Sequence, residues 1–114
     1  MFLGRVIGTV WATRKDPRLE GLKLLVVREL DTELKPQQRF VIAVDVVQAG
    51  VGDVVLVSQG SAARQSPLVE GRPIDALIMA VVDDLQVCDP QELEASYAAR
   101  RDPLVAQLEA QPES

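Results

Sequence analysis

The chain contains no histidine. That removes imidazole-based triads, imidazole proton shuttles and His-ligated metal sites together. It contains one cysteine, Cys88, so no intrachain disulfide can form, in keeping with a reducing compartment. Close to the end of an apolar strand, that thiol is expected to be a small buried hydrophobe. Aromatic residues are scarce, being limited to Phe2, Trp11, Phe40 and Tyr97. The core must therefore be aliphatic and β-branched, which suits strands. No apolar run approaches the roughly 20 residues of a membrane span. The first residues lack the basic, apolar and small-residue succession of a signal peptide.

Excess positive charge is also missing. The net charge is −5. Residues 1–88 carry ten basic and eleven acidic side chains, whereas residues 89–114 carry two and six. A near-neutral body with an acidic tail is a poor match for a polyanion. A length of 114 residues fits one domain of ordinary size, about 100–150 residues. Nearly half of the residues are apolar, at 47%, which excludes a disordered chain.

What is present reads as strands. Leu3 to Thr13 alternates, with Val6, Gly8, Val10 and Ala12 expected on one face and Ile7, Thr9, Trp11 and Thr13 on the other. Gly4 and Gly8 allow the bending that a closed sheet requires. Lys15-Asp16-Pro17 ends the strand, because proline cannot donate to a ladder. Further strands are expected over Leu22–Leu30, Arg39–Asp45, Asp53–Gln59 and Ala76–Val87. The second and third are joined by a short polar loop and form an antiparallel hairpin. Five strands with short irregular connections define an all-β fold, a small five-stranded barrel of the oligonucleotide-binding type, although the pattern leaves a small β-sandwich open.

Catalytic constellations are not evident. Asp45, Asp53, Asp75, Asp83 and Asp84 could form a carboxylate cluster, but Asp at strand ends ordinarily organises turns, and no nucleophile–base pair accompanies them. Ser58 and Ser61 have no histidine partner, the lysines that could replace one, Lys15, Lys23 and Lys35, lie far away in sequence, and Ser61 reads as the N-cap of a helical turn through Arg64. Gly50-Val51-Gly52 lacks the Gly-Lys-Ser/Thr ending of a phosphate loop and precedes a strand. No cofactor or metal is expected.

Four sets of residues in register carry a resemblance. They are Gly4-Arg5-Val6-Ile7-Gly8-Thr9-Val10 with Lys15-Asp16-Pro17; Gly21 to Val27; Ala43-Val44-Asp45 with Gln48-Ala49-Gly50-Val51-Gly52-Asp53; and Gly60-Ser61-Ala62-Ala63-Arg64 with Arg72-Pro73-Ile74-Asp75-Ala76 and an apolar run to Asp83. In this order, from about Leu3 to about Val87, the chain resembles the vertex proteins of bacterial microcompartments. That is the family shared by carboxysomes and the ethanolamine- and propanediol-utilisation shells.

The resemblance implies the barrel rather than the sandwich, and a structural subunit rather than an enzyme. It implies a homopentamer at the fivefold corner of a polyhedral shell, seated among hexameric or pseudo-hexameric tiles in the bacterial cytoplasm. It also implies that Gly60, Ser61 and Arg64 lie near the subunit junction, braced by Arg72 and Asp75, with Asp45 a further candidate. A guanidinium suits bidentate pairing with a carboxylate across such a boundary. The runner-up is a nucleic-acid-binding adaptor of the same barrel type, and a small-molecule-binding barrel is a third reading. Against the runner-up stand the charge balance and the lack of an aromatic platform within the strands.

The division into a barrel, 1–88, and an acidic, partly helical tail, 89–114, follows from composition and from Asp89-Pro90. Proline suits the first helical turn, and Asp89 suits its N-cap. A helix is expected from about Pro90 to Arg101, and a weaker one over Pro103–Ala110 after the break at Asp102-Pro103.

Overall fold

The computed structural model describes residues 1–60, 63, 66–67, 72 and 74–100, with the backbone alone for 97–100. Five strands form a closed barrel: β1 (Phe2–Val10), β2 (Leu24–Leu30), β3 (Pro36–Asp45), β4 (Val54–Gln59) and β5 (Ala76–Val81). The order around the barrel is β1-β2-β3-β5-β4. All neighbours are antiparallel except β3 and β5, which run parallel and pair through two rungs, Val44↔Leu77 and Asp45↔Ile78. The barrel therefore replaces the sandwich alternative, and the expected β2–β3 hairpin is present.

Inward residues of each strand fill the barrel. Val6, Leu25, Val27, Ala43, Val55, Val57, Ala76 and Ile78 are fully buried and form one cluster. Gly4 is required here, because a Cβ at this position would run into the Val27 side chain and the Arg28 carbonyl. A strand passing this close to its neighbour has room only for hydrogen.

Alternation along β1 does not run through as the sequence implies. Val6 pairs with Val27, but Gly8 pairs with Val26, leaving Ile7 as an extra residue in a β-bulge. A bulge advances the side-chain alternation by one position. Gly8 and Val10 thus lie on the outer face, opposite to Val6, and Ile7 is exposed.

The strand limits also differ from expectation. β1 stops at Val10, leaving Trp11 89% exposed in the following loop. β3 begins at Pro36, which pairs with Leu30 across a second bulge. Proline is tolerated as the first residue of a strand. β5 stops at Val81; the Val82 amide still donates to the Val54 carbonyl of β4 at 2.7 Å, and the chain then leaves the sheet. Cys88 consequently lies beyond the strand and is exposed, not buried as the sequence suggests.

A second, smaller core lies outside the barrel. Val44, Ala63, Ile74 and Leu77 are buried together, with Leu19, Leu22, Leu24 and Val46 packed against them. Leu19 is supplied by a 3-10 turn, Pro17–Leu19, capped by Asp16, whose carboxylate accepts from the Arg18 amide at 2.9 Å. The segment after β5 ends in a helix, α1 (Pro90–Arg100). Asp89 is its N-cap: Oδ1 accepts from the Gln91 amide at 2.8 Å, and its carbonyl accepts from Leu93 at 2.8 Å. Residues Gln91 to Ala95 are all exposed, so this half of the helix does not pack on the barrel. The weaker helix expected over Pro103–Ala110 lies outside the described residues.

Candidate functional site

The corner between β4 and β5 is built on backbone geometry. Gly60 ends β4 in the left-handed region, φ +64°, with open space where a Cβ would stand. Its amide donates to the Asp75 carbonyl at 2.8 Å, tying the exit from β4 to the entry into β5. The Ile74 amide donates to the Arg72 carbonyl at 2.8 Å, and Ile74 then turns into the outer core beside Ala63.

Gly60 and Asp75 are thus brought together. Arg72 belongs to the same corner, but its Nη1 donates to the Glu20 carbonyl at 3.1 Å. Its guanidinium fastens the corner to the loop around the 3-10 turn instead of meeting Asp75. The Asp75 carboxylate is exposed and makes no ion pair or hydrogen bond among the described residues. Ser61 and Arg64 lie outside the described residues.

Asp45 lies at the other end of the same parallel pairing, and its side chain is only 1% exposed. Oδ1 accepts from the Val47 amide at 3.0 Å, forming a turn, and Oδ2 faces the Lys23 ammonium at 3.0 Å. That ammonium donates to the Ala49 carbonyl at 2.7 Å, and Oδ2 itself accepts no aligned hydrogen bond. The carboxylate is therefore engaged within the subunit, leaving only backbone at this position for a neighbour to touch. Lys23 was not singled out by motif reading. The signal was available in the hairpin register: once Leu24 pairs with Val44, residues 23 and 45 form the next rung, and the Asp45 amide donates to the Lys23 carbonyl at 2.9 Å.

Asp53 and Asp31 act as turn organisers. Asp53 Oδ2 accepts from the Gly50 amide at 2.8 Å. Asp31 Oδ1 accepts from the Glu33 and Lys35 amides at 2.8 and 2.9 Å. The amide of Lys35 is the main reason the Asp31 carboxyl is held below its ordinary range, with burial opposing it and the Glu33 amide adding to it. Among the described residues, no three acidic or thiol side chains gather closely enough to hold a metal ion. No helix of the described residues is long and apolar enough to cross a membrane.

The molecule is thus a closed five-stranded barrel whose β4–β5 corner is built on backbone geometry. The chain matches the family described as ethanolamine utilisation protein EutN/carboxysome over residues 1–83, and it belongs to that family. It is 46% identical over 87 residues to the carboxysome shell vertex protein CcmL of Synechocystis, covering 76% of this chain and 87% of the relative. It is 46% identical over 86 residues to the microcompartment shell vertex protein GrpN of Rhodospirillum rubrum, covering 75% and 97%.

Among solved structures, Nostoc CcmL superposes with a TM-score of 0.74 at 44% identity, over 76% of this chain and 94% of that one. The GrpN pentameric shell protein superposes with a TM-score of 0.71 at 45% identity, over 77% and 100%. The relatives are structural shell vertex proteins and not enzymes.

Proposed function

We propose that five copies of this chain close into a ring that occupies a fivefold corner of a microcompartment shell in the bacterial cytoplasm, against hexameric or pseudo-hexameric tiles. Membership of the vertex family over residues 1–83, on a barrel of the same fold as the pentameric GrpN, is the observation that carries this reading. The mechanism is geometric. A sheet of hexagonal tiles closes only by admitting fivefold defects, and a cyclic ring supplies one through a contact in which two different faces of the subunit meet. No bond is made or broken.

In this reading Gly60, Ser61, Arg64, Arg72 and Asp75 shape the junction, with Asp45 and Lys23 supporting it from within. Residues 1–88 form the vertex domain, and residues 89–114 form an appendage to it. Two observations support that boundary: the family match stops at residue 83, and α1 begins with its own cap at Asp89.

Native mass spectrometry tests the reading. The full chain should give a five-subunit species at micromolar concentration, and so should a truncation after Cys88. A monomeric or dimeric full chain overturns the vertex assignment. A pentameric full chain with a monomeric truncation moves the tail into the ring and displaces the boundary.

A further inference from the structure

Two rows of side chains cross the outer face of β1, β2 and β3. One row is Arg5–Arg28–Phe40 and the other is Gly8–Val26–Ile42, each defined by the strand register. Phe40 is 56% exposed and Ile42 is 41% exposed, with Ile7 standing beside them on its bulge. An apolar patch with arginine at its margin, on a bare sheet face, has the composition of an interface centre.

The arginines make the patch unusual. Arg5 and Arg28 are direct cross-strand partners, and like charges in that position repel. Neither has a carboxylate partner among the described residues. Arg5 donates to the Gly52 carbonyl at 2.8 Å, and Arg28 donates to the Gln37 carbonyl at 3.1 Å. Among the described residues, a pair of positive charges held this way has no balancing carboxylate.

The subunit carries a complementary charge elsewhere. Asp75 is exposed, has no partner among the described residues and is fixed by its own carbonyl, which accepts from Gly60. It lies just before β5, two residues ahead of the Val44–Leu77 rung, whereas Arg5 and Arg28 lie on β1 and β2, with β3 between Arg28 and β5. This face cannot pair with itself in a twofold contact, because that would set four guanidiniums together. It can pair with a different face of another copy, which is the contact a ring requires.

We infer that the outer face of β1–β2–β3 around Arg5, Arg28 and Phe40 receives the Asp75 corner of a second copy of this chain. The inference rests on the ring reading above and identifies its two faces. A nucleic acid is the competing occupant for a basic sheet face with a phenylalanine. The Phe40 ring, however, already has the Arg28 guanidinium 6.0 Å from its centroid, and the Phe2 ring has Arg39 at 5.4 Å. A guanidinium of the same subunit thus already lies near each ring on which a base would stack.

Native mass spectrometry on the full chain and its variants tests the contact, with circular dichroism confirming that each barrel folds. The probe is the chain itself. Arg28→Glu and Asp75→Arg should each weaken the five-subunit species by about tenfold or more in dissociation constant, and the double variant should recover it, because the two charges exchange places across the contact. Asp75→Asn, at an exposed side chain with no partner among the described residues, keeps the test valid if Arg28→Glu folds poorly, and it should weaken the ring in the same direction. A pentameric wild type whose single variants are equally pentameric overturns the contact alone, as does a double variant no better than either single. A wild type that is not pentameric overturns the vertex reading and the contact with it. Pentamers indifferent to Arg28→Glu, with a short single-stranded DNA bound tightly by the wild type and released by that substitution, would reassign the face to nucleic acid.

Discussion

Lys23 stands over the buried carboxylate of Asp45, 3.0 Å from Oδ2, with half of its own side chain in water. The pair joins the start of β2 to the end of β3. Through the Ala49 carbonyl, it also holds the turn that leads toward β4. Removing the cation strands a carboxylate that water cannot reach.

Lys23→Ala should therefore destabilise the barrel more than most surface substitutions. Breaking a fully buried ion pair costs about 3–5 kcal/mol. The exposure of Lys23 reduces this, and about 2 kcal/mol is expected. Urea denaturation should show a lower midpoint with an unchanged slope. An Asp45→Asn, Lys23→Ala double variant should regain part of the loss, since the stranded charge is gone.

Gly4→Ala and Gly60→Ala should both lose stability, for opposite reasons. At Gly4 the added methyl meets the Val27 side chain inside the barrel, an overpacking cost of about 1–3 kcal/mol. At Gly60 the methyl meets nothing, but the left-handed backbone costs about 1 kcal/mol. Thermal unfolding of the two variants gives the comparison. A compensating Val27→Ala should rescue Gly4→Ala, whereas no neighbouring truncation should rescue Gly60→Ala.

The Asp16 carboxyl is lowered to about 2, chiefly by its side-chain hydrogen bond with Arg18 and then by the Arg18 amide. Because the folded value lies below the unfolded one, the stabilisation is fully present above the unfolded value, about 3.9. It is lost as the pH falls through that value toward about 2. A carboxyl-detected NMR titration should place Asp16 there, and Arg18→Ala should move it upward. Unchanged titration in that variant would disprove the pairing.

Asp89→Ala should loosen α1 without touching the barrel. Loss of an N-cap costs about 1 kcal/mol, a large fraction of the stability of an eleven-residue helix with an exposed first half. Helical ellipticity should fall while the thermal midpoint of the barrel stays where it was.

The five strands were legible because each contains a short apolar run closed by a turn residue, and these signals are local; the barrel rather than a sandwich was implied by the family resemblance. The α1 helix was legible for the same reason, through Asp89 and Pro90. Non-local choices were not. A single extra residue at Ile7 reverses the facing of Gly8 and Val10, and alternation alone cannot reveal a bulge whose partner strand is unknown. The early start of β3 at Pro36 depends on its pairing with Leu30. The corner around Gly60 and Asp75 was marked by its motif. Arg5 and Arg28 became a pair only when the register set them opposite each other.

The strand order also has a temporal meaning. Without β5 the remaining strands make an open sheet, β3-β2-β1-β4, with β3 at one edge and β4 at the other. β5 is the last strand among the described residues, and it inserts between those two edges, holding β3 by only two rungs. During synthesis the first four strands emerge with both edges uncovered, and such edges recruit other chains. The subunit becomes a closed solid only when residues 76–81 leave the ribosome. The corner that precedes β5 takes its shape in that same last step, so no copy can offer this surface before its own edges are sealed.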